Sequence, residues 1–286
     1  MSRSHGTDGW SPEIAIMQGR LSAPVNGQLQ AFPAEAWAHE FARAADAGLN
    51  AIEWIFDAPR NPFLSDDDAA RIPQIVRGTG IGIRSVCADY FMDAPLHRGV
   101  EADVDERLAV FRALADRASD MGVQHIVLPC VDQSAIRDDS DRDRLIEALE
   151  GIVSHTDARG VEIHLETSLA PNAFASLIAR LPDTVMANYD SGNSASLGYD
   201  VREEFAAYGD RVGSVHIKDR LRGAGTVPLG TGDADFPALF DALERVAYCG
   251  LFTLQVARGP LGQEVELARS NRDFVLRQVR TASGHS

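Results

Sequence analysis

The sequence predicts a single-domain (β/α)8 barrel, a TIM barrel of the α/β class, on three observations. Short apolar runs alternate with longer amphipathic ones from end to end. Eight such strand–helix pairs fit between residues 13 and 280, which is the count and size of that fold. A doubly wound open sheet would normally carry a Gly-rich phosphate turn after an early strand, and none is present.

The first strand is expected at Ile14–Met17. A helix from Pro33 to Ala47 follows a loop; Trp37, Phe41, Ala44 and Ala45 recur there at helical spacing, and Gly48 supplies a C-terminal stop. Ala51–Ile55 reads as the second strand, and Ser65 opens a helix with acidic residues in its first turn. Ile81–Ala88 is the third strand, with a helix over Val104–Met121. Gln124–Pro129 is the fourth, with a helix over Arg142–Arg159. Val161–Glu166, Thr184–Asp190, Val212–Lys218 and Leu251–Ala257 complete the set. Their helices lie after Pro171, near Val201–Tyr208, at Phe236–Tyr248 and at Glu264–Arg280. Residues 1–12 read as a flexible polar leader and residues 281–286 as a disordered tail, around one catalytic domain at 13–280.

A formal charge of −15 excludes a non-specific nucleic-acid binder, which needs a basic surface, and disfavours an anionic membrane as partner. No apolar run reaches the length of a membrane span, and the leader lacks the apolar region of a secretory signal, so the cytoplasm is the expected compartment. Three cysteines, Cys87, Cys130 and Cys249, form no CxxC pair and read as reduced thiols. The expected partner is a small carbohydrate, and a homo-oligomer is compatible with the pattern. Lys218 is the only lysine in a chain whose other basic residues are arginines.

A barrel of this kind places its chemistry at the C-terminal ends of the strands. In strand order those ends carry Gln18 and Arg20, Glu53, Cys87 and Asp89, Cys130 and Asp132, Glu166, Asp190 and Asn193, His216 with Lys218 and Asp219, and Gln255 with Arg258. Taken singly, each has a plain structural reading. Glu166 is a strand-end carboxylate, Asp190 a turn former in D-x-G-N, and His216 a core histidine. Taken jointly, Glu166, Asp190, His216 and Gln255 fall at one height on four successive strands. Two carboxylates, an imidazole and a carboxamide suit one hard or borderline divalent cation, Mn2+ first, with Mg2+, Co2+ or Zn2+ as alternatives.

These segments resemble the xylose-isomerase-like TIM-barrel superfamily, which includes sugar-phosphate isomerase/epimerases, ketose 3-epimerases, inosose dehydratases and endonuclease IV. The matching pieces are Met17–Ser22, Ile52–Trp54, His164–Glu166, Tyr189–Asn193, Val215–Arg220, Pro228–Phe236 and Leu254–Gly259. The resemblance implies metal ligation by Glu166, Asp190 and His216. It also implies a metal-dependent isomerase or epimerase of a sugar, ketose or sugar phosphate. The epimerases place a second metal-bound Glu where this chain has Gln255, and the glutamine is similar to a sugar-phosphate isomerase/epimerase subgroup. A carboxamide ligates through oxygen but accepts no proton near neutral pH. Glu166 is therefore the expected base, with Glu53 or His97 as a second acid/base, unless one base performs a suprafacial shift.

Lys218 is expected to steady an enediolate, with a Schiff-base role as the alternative. Arg20, Arg220 and Arg258, with Asn193 and His97, are the expected substrate-binding set. The arginines are candidates for an anion clamp, assisted by the Gly230–Gly232 loop. Competing functions are a dehydratase or lyase on a keto-inositol or sugar acid, an endonuclease IV-like nuclease, and a non-catalytic sugar-binding barrel.

Overall fold

The computed structural model describes residues 12–284, so the leader expected at 1–12 falls outside the described residues apart from Pro12. Eight parallel strands close into a barrel: β1 (Ile14–Met17), β2 (Ala51–Ile55), β3 (Gly82–Cys87), β4 (His125–Cys130), β5 (Glu162–Thr167), β6 (Val185–Asp190), β7 (Val212–Ile217) and β10 (Leu251–Leu254). Each strand pairs with its sequence neighbour, and β1 pairs with β10 to close the ring, Ile14 opposite Phe252. The two remaining strands, β8 (Asp219–Arg220) and β9 (Thr226–Val227), form a small antiparallel ribbon on the rim, which the apolar pattern does not announce.

The strands read as near-continuous apolar runs because both faces are covered: β1, β2 and β4 are buried at every position. Between barrel and helices the largest buried side chains are aromatic. Trp54 on β2 has ring centroids 5.3 Å from Phe32, 5.3 Å from Trp37 and 5.4 Å from Phe63, and its Nε1–H donates to Asn61. Inside the barrel floor, His125 and His164 stack with centroids 4.0 Å apart.

The helices follow the expected order with local differences. Helix α1 (Trp37–Asp46) begins four residues after Pro33, whose carbonyl instead closes a turn onto Ala36 and Trp37. The segment after β2 splits into α2 (Asp66–Ala69), capped by Ser65 as anticipated, and α3 (Ile72–Thr79), with Pro73 in its first turn. A one-turn helix α4 (Tyr90–Asp93) follows β3. Helix α5 (Glu101–Asp120) starts three residues earlier than the spacing suggests, and α6 (Asp139–Asp157) is N-capped by Asp138. Then come α7 (Pro171–Ile178), α8 (Ser191–Leu197), α9 (Val201–Tyr208) and α10 (Phe236–Arg245). The last helix, α11 (Glu264–Ser283), runs through Thr281–Ser283, part of the segment expected to be a disordered tail. Burial of Ala282 against the core holds that extra turn. No helix among the described residues is long and apolar enough to cross a membrane.

Candidate metal centre and active site

Barrel closure brings the ends of β5, β6, β7 and β10 to one mouth. Asp190 and His216 are in register on adjacent strands, as are His216 and Thr253, and Gln255 follows Thr253 by two residues on the same face. One ligand atom from each of Glu166, Asp190 and His216 lies within 4.8 Å of the others, and all three side chains are buried. The donors are two carboxylates and an imidazole, a set suited to a divalent cation that prefers oxygen and nitrogen. Neither ring nitrogen of His216 has a hydrogen-bond partner of good geometry, although both face carboxylates. The residues therefore fit the cation that their chemistry implies.

Asp190 divides its two oxygens between structure and site. Oδ1 accepts from the backbone N–H groups of Gly192 (2.9 Å) and Asn193 (2.8 Å), capping α8, while Oδ2 lies 3.3 Å from Lys218 Nζ. Oδ1 thus makes the turn expected of D-x-G-N, and Oδ2 is left to face the site. Burial pushes the Asp190 pKa up, with Lys218 pulling against it.

Glu166 is held by two amides. Asn193 Nδ2 donates to Oε1 at 2.6 Å and Asn188 Nδ2 to Oε2 at 3.1 Å. Ser214 Oγ donates to Asn188 Oδ1 at 2.7 Å, which fixes the direction of that amide. Burial opposes ionisation of Glu166, but contact with His216 outweighs it and the pKa falls below the ordinary value. Asn188 was not among the expected site residues. Its signal was present, since it precedes Asp190 by two on one strand and so shares its face.

His216 sits between Glu53, 2.9 Å from Nε2, and Glu166, 3.3 Å from Nδ1. Burial alone would lower the pKa of the imidazole; the two carboxylates raise it well above its usual value. Glu53, expected as a second acid/base, is fully buried behind this ring, where it accepts from Ser85 Oγ (2.7 Å) and Thr253 Oγ1 (3.4 Å).

Lys218 reaches the same mouth. Its Nζ lies 3.0 Å from Gln255 Oε1, 3.3 Å from Asp190 Oδ2 and 3.4 Å from Asn193 Oδ1. The stem packs on Gly192, where an added Cβ would fall 2.6 Å from Lys218 Cγ, so only glycine leaves room for it. Ser191 Oγ donates to Lys218 O at 2.7 Å and ties α8 to the strand.

The other expected residues divide. Arg220 is at the site: its Nη1 donates to Asn193 Oδ1 at 2.8 Å. Arg20 and Arg258 are engaged in structure, both donating to Leu29 O, with Arg20 Nε on Val256 O and Arg258 Nη1 on Ser22 O. Burial, reinforced by Arg258, brings the pKa of Arg20 down to about 10. The Gly230 and Gly232 N–H groups, expected to face an anion, donate instead to Asp219 Oδ2 at 2.8 and 2.9 Å. His97 is buried beside Arg98, Asp141 and Arg144; burial first, then Arg98, brings its pKa down to about 4. None of the groups acting on it belongs to the carboxylate cluster.

One contributor has no sequence signal. Gln30, in the loop before α1, accepts from Gln255 Nε2 at 2.9 Å and donates to Asp89 Oδ2 at 2.7 Å. It follows no strand or helix period, and only closure of the barrel brings it to β10.

With this geometry established, the chain can be compared with known proteins. The family model of the xylose isomerase-like TIM barrel matches residues 41–278, and the chain belongs to that family. An L-ribulose-5-phosphate 3-epimerase, UlaE of Salmonella heidelberg, is 27% identical over 279 residues, covering 91% of this chain and 96% of the relative. Among solved structures, an L-ribulose 3-epimerase superposes with a TM-score of 0.76 at 19% identity, over 96% of this chain and 97% of that one. The 3-keto-D-glucoside 4-epimerase YcjR of E. coli gives 0.71 at 18% identity, over 93% and 100%. At those identities the two structures share the fold with this chain.

Proposed function

We propose that this chain is a divalent-metal-dependent epimerase or isomerase of a ketose, sugar or sugar phosphate, acting through an enediolate. One observation carries the reading: Glu166, Asp190 and His216 converge at a single barrel mouth, with Lys218 and Gln255 beside them. The kinship with an L-ribulose-5-phosphate 3-epimerase supports a ketose phosphate as substrate class.

Glu166, Asp190, His216 and the oxygen of Gln255 would hold the cation. A bound Mn2+, or Mg2+, Co2+ or Zn2+ in its place, would polarise the substrate carbonyl. Glu166 removes the proton from the carbon next to that carbonyl, oriented by Asn188 and Asn193. Lys218 donates to the developing oxyanion. Arg220, through Asn193, keeps the same amide in place from the rim. Glu53 positions His216 from behind and does not touch substrate.

Gln255 accepts no proton, which favours a second reading in which Glu166 alone moves the proton, as in aldose–ketose isomerisation or a dehydration. The three outcomes separate in one experiment. The Mn2+-loaded protein is incubated with L-ribulose 5-phosphate and other ketoses and their phosphates in D2O, and products are followed by NMR and ultraviolet absorbance. Deuterium entering at C3 with inversion marks epimerisation, exchange at C1 or C2 marks isomerisation, and a new ultraviolet-absorbing product marks dehydration. Exchange that persists undiminished in Glu166→Gln would sink the proposal.

A further inference from the structure

A glutamine presents an oxygen at one end of its amide and an NH2 at the other, and nearly identical shapes leave the choice to the neighbours. At the candidate metal centre that choice matters, because only the oxygen of Gln255 can ligate. The neighbours form a directed chain. Lys218 Nζ donates to Gln255 Oε1 (3.0 Å), Gln255 Nε2 to Gln30 Oε1 (2.9 Å), and Gln30 Nε2 to Asp89 Oδ2 (2.7 Å). Arg20 Nη2 also points at Gln30 Oε1 (3.4 Å), and Cys87 Sγ donates to Asp89 Oδ1 (3.1 Å).

Both ends of the chain have fixed polarity. Ammonium and guanidinium groups only donate, and a carboxylate only accepts. Turning Gln255 alone would set its NH2 against Lys218 and its oxygen against the oxygen of Gln30. Turning Gln30 alone would set its NH2 against Arg20 and its oxygen against Asp89. Neither amide can reverse without opposing a charged group, and together they reverse only against all three. Burial pushes the Asp89 pKa up to about 6, with the hydrogen bonds from Gln30 and Cys87 pulling down, so the end of the chain is a carboxylate at neutral pH and above.

We propose that Gln30 and Asp89 are positioning residues that hold the Gln255 carboxamide with its oxygen turned toward the cation site. The inference rests on the reading of Gln255 as an oxygen ligand. It also supplies what a carboxylate at that place would not need: a carboxylate offers oxygen at both ends, whereas a carboxamide has to be oriented.

The test is Mn2+ affinity of the full chain, measured by calorimetric titration at pH 7.5, with thermal stability recorded in parallel. Gln30→Leu and Asp89→Leu, which reach the same amide at successive steps, are each expected to weaken Mn2+ binding by roughly tenfold. In a Gln255→Glu background, Gln30→Leu is expected to change affinity by less than about twofold, because the orientation no longer matters. An equal loss in both backgrounds would overturn the proposal, since Gln30 would then act on the loop in general. Gln255→Leu separates the two ideas. If it weakens binding while Gln30→Leu and Asp89→Leu do not, the positioning role falls and the ligand reading stands. If it leaves binding unchanged, Gln255 is no ligand and both fall.

Discussion

Glu53 Oε1 lies 2.9 Å from His216 Nε2, and both side chains are completely buried. The contact turns one ring nitrogen toward a carboxylate and leaves the other facing Glu166 and the mouth of the barrel. A carboxylate behind a histidine sets the tautomer and ring orientation of a ligand without meeting the substrate. Glu53→Gln is therefore expected to lower Mn2+ affinity by about 10- to 100-fold with the fold retained. Unchanged affinity, read by titration on a variant with a normal circular dichroism spectrum, would remove Glu53 from the site.

Lys218 lies within 3.3 Å of Asp190 and 3.0 Å of Gln255, two members of the proposed ligand set. Lys218→Met should reduce kcat by about 10²- to 10³-fold through loss of oxyanion stabilisation. Borohydride treatment of the native protein with substrate should leave the mass of Lys218 peptides unaltered. A trapped adduct there would instead establish the Schiff-base alternative.

Gly192 tests the packing that delivers this lysine. In Gly192→Ala the new methyl meets Lys218 Cγ at 2.6 Å, so the stem or the start of α8 has to move. Overpacking of this kind costs about 1–3 kcal/mol, measurable by urea denaturation, and kcat should fall with it. Full activity in that variant would show that the position of Lys218 is uncritical.

His97 gives the fold a pH dependence of known sign. Its folded-state pKa is lowered to about 4, so between about pH 4 and 6.5 the unfolded chain carries a proton that the native one lacks. Stability from this group is complete above 6.5 and is lost as pH falls through that window, by at most about 1.4 kcal/mol per pH unit. Urea midpoints at pH 7, 6 and 5 should decline less steeply in His97→Leu than in the native chain. Parallel slopes would mean that His97 is charged in the folded protein.

Much of this was legible in the sequence, for a physical reason. Parallel strands covered on both faces must be apolar throughout, so a polar group at a strand end stands out, and Glu166, Asp190 and His216 stood out in this way. What stayed hidden depends on closure rather than on local pattern. Gln30 belongs to no periodic element. Arg20 and Arg258, expected as part of an anion clamp, also donate to the carbonyls of Val256 and Ser22, which only the closed ring presents to them. Charge is visible in a sequence, but the partner that uses it is not. Similarly, the Gly230–Gly232 turn looked ready for an anion, and the anion that took it is the chain's own Asp219.

The two arginines at the seam also bear on how the molecule comes into being. Arg20 reaches Val256 and Arg258 reaches Ser22, each across 236 positions of chain. A polypeptide emerges from the ribosome N-terminus first, and contacts so distant in sequence are the last to become available. The first loop can hold Gln30 against Asp89 and Arg20 early, but Gln30 waits for β10 before its oxygen meets Gln255. A nascent chain can assemble seven barrel strands and still lack Gln255, so the proposed ligand set is complete only once synthesis has passed β10.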